Sequence, residues 1–314
     1  MNTAGKQGNP FLFIIDFEMK RPRIFRLDEV DSNQILFYIG DQSNATHGDI
    51  HHSSYDWRIS PISFTEYQKA FQHVQHNQRD GNSYLTNLTF PTELYTDLTL
   101  KNIFTISQAK YKLMVKDEFV VFSPETFVNI HNGVIHSYPM KGTIDASLPN
   151  AKERLLNDEK EKAEHHTIVD LIRNDLSMVS TNVEVTKFRY VDYLQTSAKD
   201  LLQVSSEITG ELATDYPSRI GDIIATLLPA GSISGAPKKK TVEIIREAEK
   251  RERGYYTGVA GIFDGRNLDS FVMIRFIEKQ GSSLLYRSGG GITVRSEVEK
   301  EYRELIDKVY VPVA

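Results

Sequence analysis

The chain has 314 residues, of which 40% are hydrophobic and 25% are charged, and its formal net charge is −5. This composition is typical of a globular protein with enough apolar material for a sizeable core, and the acidic balance argues against a nucleic-acid partner. The sequence contains no cysteine, which excludes disulfides, thiolate metal sites and cysteine nucleophiles.

The N-terminal part begins with short strand patterns. Apolar runs predict strands within residues 11–17, 23–27 and 35–39. The first run has only five apolar residues before Asp16, which is too few for a signal peptide or a membrane span. We therefore expect a cytoplasmic protein that does not interact with a membrane.

A polar loop and a helix follow. Residues 41–60 are rich in polar side chains, and their histidines (His47, His51 and His52) lack an acidic partner at the spacing of a zinc site. Apolar residues at helical spacing then predict a helix over residues 64–79.

The rest of the chain is predicted to be mixed α/β. Strands are expected at 83–90, 111–116, 119–123, 127–131, 134–139, 184–190, 201–207, 258–263, 270–278 and 284–288. Helices are expected at 151–174, 216–227, 239–250 and 297–310. Because no repeat, low-complexity segment or linker interrupts this pattern, we expect residues 1–314 to form a single domain.

One motif resembles an anion site at the start of a helix. Residues 231–238 read Gly-Ser-Ile-Ser-Gly-Ala-Pro-Lys, with Pro237 suited to the first helical position. A helix N-terminus attracts anions, and a bound anion would relieve the repulsion among the lysines at 238–240. The motif is not a Walker A loop, because Ala-Pro-Lys follows Gly235. A solvated run of lysines is the alternative.

Two helices carry pairs of glutamates at i, i+3 spacing, so that each pair shares one helical face. The pairs are Glu161 with Glu164 and Glu301 with Glu304. Carboxylates that converge from two elements suit Mg²⁺, although acidic helix faces often serve only solubility.

Other candidates stand at the ends or in the middle of predicted strands. Arg275, within the apolar strand 270–278, needs an anionic partner, either a ligand or an internal carboxylate. Gly289 to Gly291 would form a tight turn or present N–H groups to a ligand. Lys141 follows a strand and would act as a nucleophile if desolvated beside a cation. Glu125 is a possible general acid.

Taken in order, these segments resemble the chorismate-utilising enzymes, which include anthranilate, aminodeoxychorismate, isochorismate and salicylate synthases. The resemblance covers roughly residues 80–314. It rests on the motifs Ser123-Pro124-Glu125, Pro139-Met140-Lys141-Gly142-Thr143, residues 161–175, 204–210, 231–238, Tyr256-Thr257-Gly258, Arg275, residues 289–292 and 301–304.

The resemblance implies an α/β (α+β) fold with two β-sheets packed face to face, helices outside, and an active site between the sheets. It implies that Mg²⁺, held by glutamates, binds the ring carboxylate of chorismate, and that Glu125 protonates the departing 4-hydroxyl. The implied metal ligands are Glu161, Glu164, Glu301 and Glu304. The implied substrate-binding residues are Ser234, Lys238, Tyr256, Arg275, Gly289, Gly291 and Lys308.

Within the family, Lys141 favours the aminodeoxychorismate synthase component I branch, because anthranilate synthases resemble Pro-Ile-Ala-Gly-Thr at this motif. By resemblance, Lys141 adds to ring carbon 2, and ammonia then displaces it to give 4-amino-4-deoxychorismate, a precursor of 4-aminobenzoate and folate. Without cysteine the chain cannot be its own glutaminase, so we expect a separate glutamine amidotransferase subunit.

Three features depart from the family pattern. Leu85 stands where relatives usually have Gln or Lys, Gln203 stands where they usually have His, and the N-terminal part, residues 1–80, is short. The absence of a lysine at position 85 argues against isochorismate or salicylate synthesis. The alternatives that stay open are anthranilate synthase component I and a non-catalytic carboxylate-binding relative.

Overall fold

The computed structural model describes residues 1–45, 55–194 and 200–313. The loop histidines His47, His51 and His52 lie outside the described residues. Within the described part, the strands form two nine-stranded sheets whose strand pairs are all antiparallel.

The first sheet has the strand order β11-β13-β10-β9-β16-β15-β1-β2, with β12 also paired to β13. Its strands are β1 (Phe11–Ile15), β2 (Arg23–Arg26), β9 (Thr126–His131), β10 (Val134–Ser137), β11 (Met140–Asp145), β12 (Thr181–Leu194), β13 (Leu201–Glu211), β15 (Val259–Phe263) and β16 (Leu268–Val272).

The second sheet has the order β14-β6-β18-β17-β8-β7-β3-β4, with β5 also paired to β6. Its strands are β3 (Ile35–Ile39), β4 (Gln42–Ser43), β5 (Arg58–Ser60), β6 (Leu85–Tyr95), β7 (Tyr111–Val115), β8 (Phe119–Ser123), β14 (Gly235–Ala236), β17 (Phe276–Gln280) and β18 (Ser283–Ile292).

The helices of the described residues flank the sheets. They are α1 (Asn2–Lys6), α2 (Phe64–Arg79), α3 (Leu100–Ile106), α4 (Ala151–Asn157), α5 (Glu159–Ser177), α6 (Ile220–Leu227), α7 (Gly231–Ser234), α8 (Lys238–Glu249) and α9 (Val298–Asp307). None of them is both long and apolar enough to cross a membrane.

Strand β1 shows why the two sheets pack face to face. All five of its residues are buried, and successive side chains of a strand point to opposite faces. Leu12 and Ile14 join the core between the two sheets, where the rings of Tyr111 and Phe271 stack at 5.0 Å. The alternate residues of β1 pack against the helices instead. The predicted α/β fold with two packed sheets and outer helices is therefore confirmed.

Several predicted elements differ from the observed ones. The predicted helix 151–174 is two helices, because Asp158 has extended backbone and its side chain accepts a hydrogen bond from the Glu161 amide at 3.0 Å, which caps α5. Pro237 precedes α8 in extended conformation and is not its first helical residue. The three successive glycines lie inside β18 and do not form a turn.

The predicted strand 270–278 is also two strands, which belong to different sheets. The chain leaves the first sheet after Val272 and enters the second at Phe276. Arg275, at this crossover, has a φ of 53°, in the left-handed region that interrupts a strand. The sequence pattern conceals the break, because both strands are buried and together form one continuous apolar run.

Candidate active site

Two crossovers between the sheets lie side by side and present Glu125 and Arg275. Glu125 lies between β8 of the second sheet and β9 of the first, and Arg275 lies between β16 and β17. The Val272 amide donates to the Glu125 carbonyl at 3.0 Å, and the Phe122 amide donates to the Arg275 carbonyl at 3.1 Å. These backbone bonds fix one crossover against the other.

A cavity of about 170 Å³ opens beside these crossovers. Eight residues expected from the sequence line it: Glu125, Lys141, Tyr256, Arg275, Gly289, Gly291, Glu304 and Lys308. The fold therefore brings residues that are far apart in the chain to a single cavity. Its lining combines several cationic side chains with two carboxylates, so it suits an anionic ligand of small size.

The carboxyl group of Glu125 is buried at the cavity, and its pKa is raised. Burial raises the pKa of its carboxyl group, while the hydroxyl of Ser232 and the charges of Lys141, Arg275 and Lys308 act in the opposite direction. The Ser232 hydroxyl donates a hydrogen bond to the Glu125 carboxylate. A carboxyl group with a raised pKa retains its proton at higher pH, which is what general acid catalysis requires.

Lys141 lies within strand β11 and not in a turn, and its side chain is 23% exposed. Its Nζ lies 3.6 Å from Oε2 of Glu164. The same Nζ lies 3.3 Å from the position that a Cβ on Gly291 would occupy. Glycine at this position therefore leaves the amine accessible to a ligand in the cavity.

The glycines of β18 also leave room for carboxylates. A Cβ at Gly290 would lie 3.4 Å from Oε2 of Glu301 and 3.5 Å from Oε1 of Glu304. In strand β11, a Cβ at Gly142 would likewise lie 3.3 Å from Oε2 of Glu161. The two glycines, one in β11 and one in β18, thus let carboxylates from α5 and α9 approach the sheets closely.

The described part of the chain contains no group of three or more His, Asp or Glu side chains already arranged to hold a metal ion. The donor chemistry nevertheless suits a hard divalent cation, because all four predicted ligands offer carboxylate oxygens. Two of these carboxylates share the space at Gly290, and a third, from Glu164, contacts Lys141. The residues therefore fit a divalent cation in chemical type.

Basic and phenolic groups occupy the remaining wall. The Lys308 ammonium donates to the Gly289 carbonyl at 2.8 Å and pairs with Glu304 at 2.6 Å, and burial lowers its pKa. The Arg275 guanidinium stands 5.7 Å over the Tyr310 ring. Tyr256 is 4% exposed, and burial raises the pKa of its phenol to about 12. Tyr256 is therefore a neutral hydrogen-bonding group.

Ser234 and Lys238, which the sequence suggested as substrate-binding residues, do not line this cavity. Ser234 is fully buried, and its hydroxyl donates to the Ala230 carbonyl of its own helical turn at 2.8 Å. The Lys238 ammonium donates to Asp175 at 2.8 Å and to the Leu227 carbonyl at 3.0 Å. An internal carboxylate thus takes the place of the ligand anion expected at this lysine.

Polar residues that were not predicted as site residues also line the cavity, among them Ser232 and Arg287. Ser232, the partner of Glu125, lies in the motif at 231–238, beside the predicted residues Ser234 and Lys238. Arg287 lines the cavity from β18 and pairs with Glu278 at 2.6 Å. Alternation in β18 could have indicated that Arg287 shares a strand face with Gly289 and Gly291.

Comparison with known proteins identifies the family. The family described as chorismate binding enzyme matches residues 23–314, and the chain belongs to this family. A PabA-like protein of Pasteurella multocida, itself uncharacterised, is 55% identical over 99% of this chain and 97% of its own length.

More distant relatives have named activities. Aminodeoxychorismate synthase component 1 of Bacillus subtilis is 30% identical over 80% of this chain and 55% of its own length. An anthranilate synthase component 1 of Haloarcula marismortui is 32% identical over 84% of this chain and 56% of its own length. The chain thus spans about half the length of these two relatives.

A solved structure has the same fold. The menaquinone-specific isochorismate synthase of Escherichia coli superposes with a TM-score of 0.76 and is 14% identical, over 98% of this chain and 78% of that one. At this identity the likeness concerns the fold alone. The family assignment and the fold together indicate a chorismate-utilising enzyme.

Proposed function

We propose that the chain is an aminodeoxychorismate synthase component I, which converts chorismate and ammonia to 4-amino-4-deoxychorismate. The observation that carries the proposal is that Lys141 and Glu125 line one cavity. A lysine accessible to a ligand supplies a nucleophile, and a carboxyl group with a raised pKa supplies a proton. By the family resemblance, anthranilate synthases lack a lysine at this position.

In this mechanism, Lys141 Nζ forms a bond to ring carbon 2 while the bond between carbon 4 and its hydroxyl breaks. Glu125 gives its proton to the departing hydroxyl, which leaves as water. Ammonia then bonds to carbon 4, the bond from carbon 2 to Lys141 breaks, and the proton lost by the added ammonia returns to Glu125. At the end of these steps, the Lys141 amine and the protonated Glu125 are both regenerated.

The substrate's charges match the remaining groups of the cavity. Arg275, Tyr256 and Lys308 would hold the enolpyruvyl carboxylate from one wall. Glu161, Glu164, Glu301 and Glu304 would hold Mg²⁺, whose charge would neutralise the ring carboxylate. Because the cation would neutralise the ring carboxylate of the substrate, we propose that chorismate and the cation bind together.

A separate glutamine amidotransferase subunit would supply the ammonia, because the chain has no cysteine for a cysteine-dependent glutaminase. This partnership predicts that a purified complex gains glutamine-dependent activity over that with free ammonium. The partnership would be contradicted if the chain without a partner were as active with glutamine as with ammonium.

The decisive experiment supplies the purified chain with chorismate, Mg²⁺ and ammonium and identifies products by mass spectrometry. 4-Amino-4-deoxychorismate, which retains the enolpyruvyl group, would support the proposal. Anthranilate, which lacks that group, would assign the chain to the anthranilate branch instead. Chorismate binding without turnover would identify a non-catalytic relative.

A further inference from the structure

A buried ion pair lies behind the cavity wall. Arg253 is 2% exposed and forms a bidentate pair with Glu249, through Nε at 3.0 Å and Nη2 at 2.6 Å. The guanidinium also stands 4.7 Å over the ring of Phe17. Burying such a pair contributes little net stability, because the desolvation of both charges offsets their attraction. We therefore expect the pair to position neighbouring segments of the chain and not to add stability.

The remaining N–H groups of Arg253 bind the backs of three wall segments. Nη1 donates to the Ile233 carbonyl at 2.9 Å and to the Thr257 hydroxyl at 3.4 Å, and Nη2 donates to the Asn87 carbonyl at 2.7 Å. These three acceptors belong to residues that line the cavity. With the two bonds to Glu249, all five donors of the guanidinium are used.

Glu249 extends the same clamp to strand β6. Its Oε1 accepts from the Thr89 amide at 2.9 Å and from the Thr89 hydroxyl at 3.0 Å. The pair thus joins β6, α7 and the segment after α8, which are separated in the chain but adjacent in the cavity wall. Only a planar guanidinium can reach these acceptors together, since an ammonium has three donors and no fixed fork.

We propose that Arg253 is a positioning residue that fixes the Ser232 end of the cavity against β6 and the Tyr256 segment. The carbonyl of Ile233 follows Ser232 directly in the chain, and the Ser232 hydroxyl holds Glu125. Arg253 therefore acts on Glu125 through two hydrogen bonds and the backbone that joins Ile233 to Ser232. The kinetic part of this inference rests on the proposed function, whereas the structural part does not.

The kinetic test compares Arg253→Lys with Arg251→Lys, a matched change at a neighbouring, more exposed arginine. We expect Arg253→Lys to lower kcat by about 10²-fold, the scale of small displacements at a reacting centre, with the KM for chorismate nearly unchanged. Arg251→Lys should retain wild-type kinetics. Wild-type kcat in a folded Arg253→Lys variant would overturn the inference.

A double-mutant cycle separates positioning from a loss of folded protein. If Arg253 acts through Ser232, then Arg253→Lys should cost much less in kcat when Ser232→Ala is already present. A merely structural role would give independent, multiplicative losses, and that result would reject the inference. If Arg253→Lys does not fold, Thr257→Val, which removes one acceptor, takes its place in the cycle.

Hydrogen exchange tests the clamp without any turnover assay. In Arg253→Lys, or Thr257→Val if needed, we expect faster amide exchange in residues 85–90, 230–236 and 254–259, and unchanged exchange in the β7–β8 hairpin. Unchanged exchange in the wall segments would refute the clamp even if chorismate is turned over. Conversely, an inactive wild-type protein with the expected exchange pattern would reject only the proposed function.

Discussion

The amine of Lys141 and the carboxylate of Glu164 lie 3.6 Å apart, although they come from a strand of the first sheet and from helix α5. The lysine proposed as nucleophile is therefore next to a glutamate proposed as a metal ligand. A cation held by Glu164 would compete with the lysine for this carboxylate. Binding of the cation is thus expected to change the environment of the lysine amine.

Replacing Lys141 tests covalent catalysis. We expect Lys141→Ala to lower 4-amino-4-deoxychorismate formation by at least about 10²-fold, or to divert the product towards anthranilate, because the nucleophile is removed. Product analysis by mass spectrometry measures both outcomes. Lys279→Ala, at a remote exposed lysine paired with Asp117, is the control and should leave rate and product unchanged. An unchanged product and rate in Lys141→Ala would rule out a covalent role.

The raised pKa of Glu125 predicts a pH dependence. As a general acid, Glu125 acts in its protonated form, so its contribution is present at low pH and is lost as the pH rises through its raised pKa. Glu125→Gln preserves the shape of the side chain but removes its acidic proton. We expect kcat to fall by about 10²–10⁴-fold and this descending limb to vanish from the profile of kcat against pH. A variant that retains the limb would assign it to another group.

A cation that neutralises the ring carboxylate of the substrate predicts coupled binding of cation and substrate. Isothermal titration should show weak Mg²⁺ binding alone and tighter binding with chorismate present, and the coupling should be reciprocal. Glu301→Gln should weaken Mg²⁺ binding in the presence of chorismate by roughly tenfold or more, whereas Glu299→Gln on the same helix should not. Equal Mg²⁺ affinity with and without chorismate would contradict the coupling.

The glycine at position 291 predicts a steric effect that is specific to the site. In Gly291→Ala, the new methyl group would lie 3.3 Å from Lys141 Nζ and 3.1 Å from Leu85 Cδ1. Because the methyl group would occupy space beside the Lys141 amine, we expect kcat/KM to fall by about tenfold or more. The melting temperature should change by only a few degrees. Gly281→Ser, at an open position with nothing within 4 Å, controls for a glycine change, although its φ of 60° adds local strain. A fully active Gly291→Ala variant would show that the amine does not need this space.

The local sequence determined those features that depend on periodicity and residue type. The helical pattern at residues 64–79 corresponds to α2 at both ends, because its apolar spacing and the Ser63 cap are local signals. The residue types at Glu125, Lys141 and Arg275 likewise indicated acid, nucleophile and anion-binding chemistry before any fold was considered.

The tertiary structure decided which charges face the cavity and which neutralise one another. Lys238 pairs with the internal carboxylate of Asp175, whereas Ser232 donates a hydrogen bond to Glu125 in the cavity. Arg275 lies at a crossover between sheets, which a continuous apolar run conceals. Periodicity and composition encode burial along the chain, but the partner of a charged group is chosen by contacts between distant segments, and only the folded chain defines those.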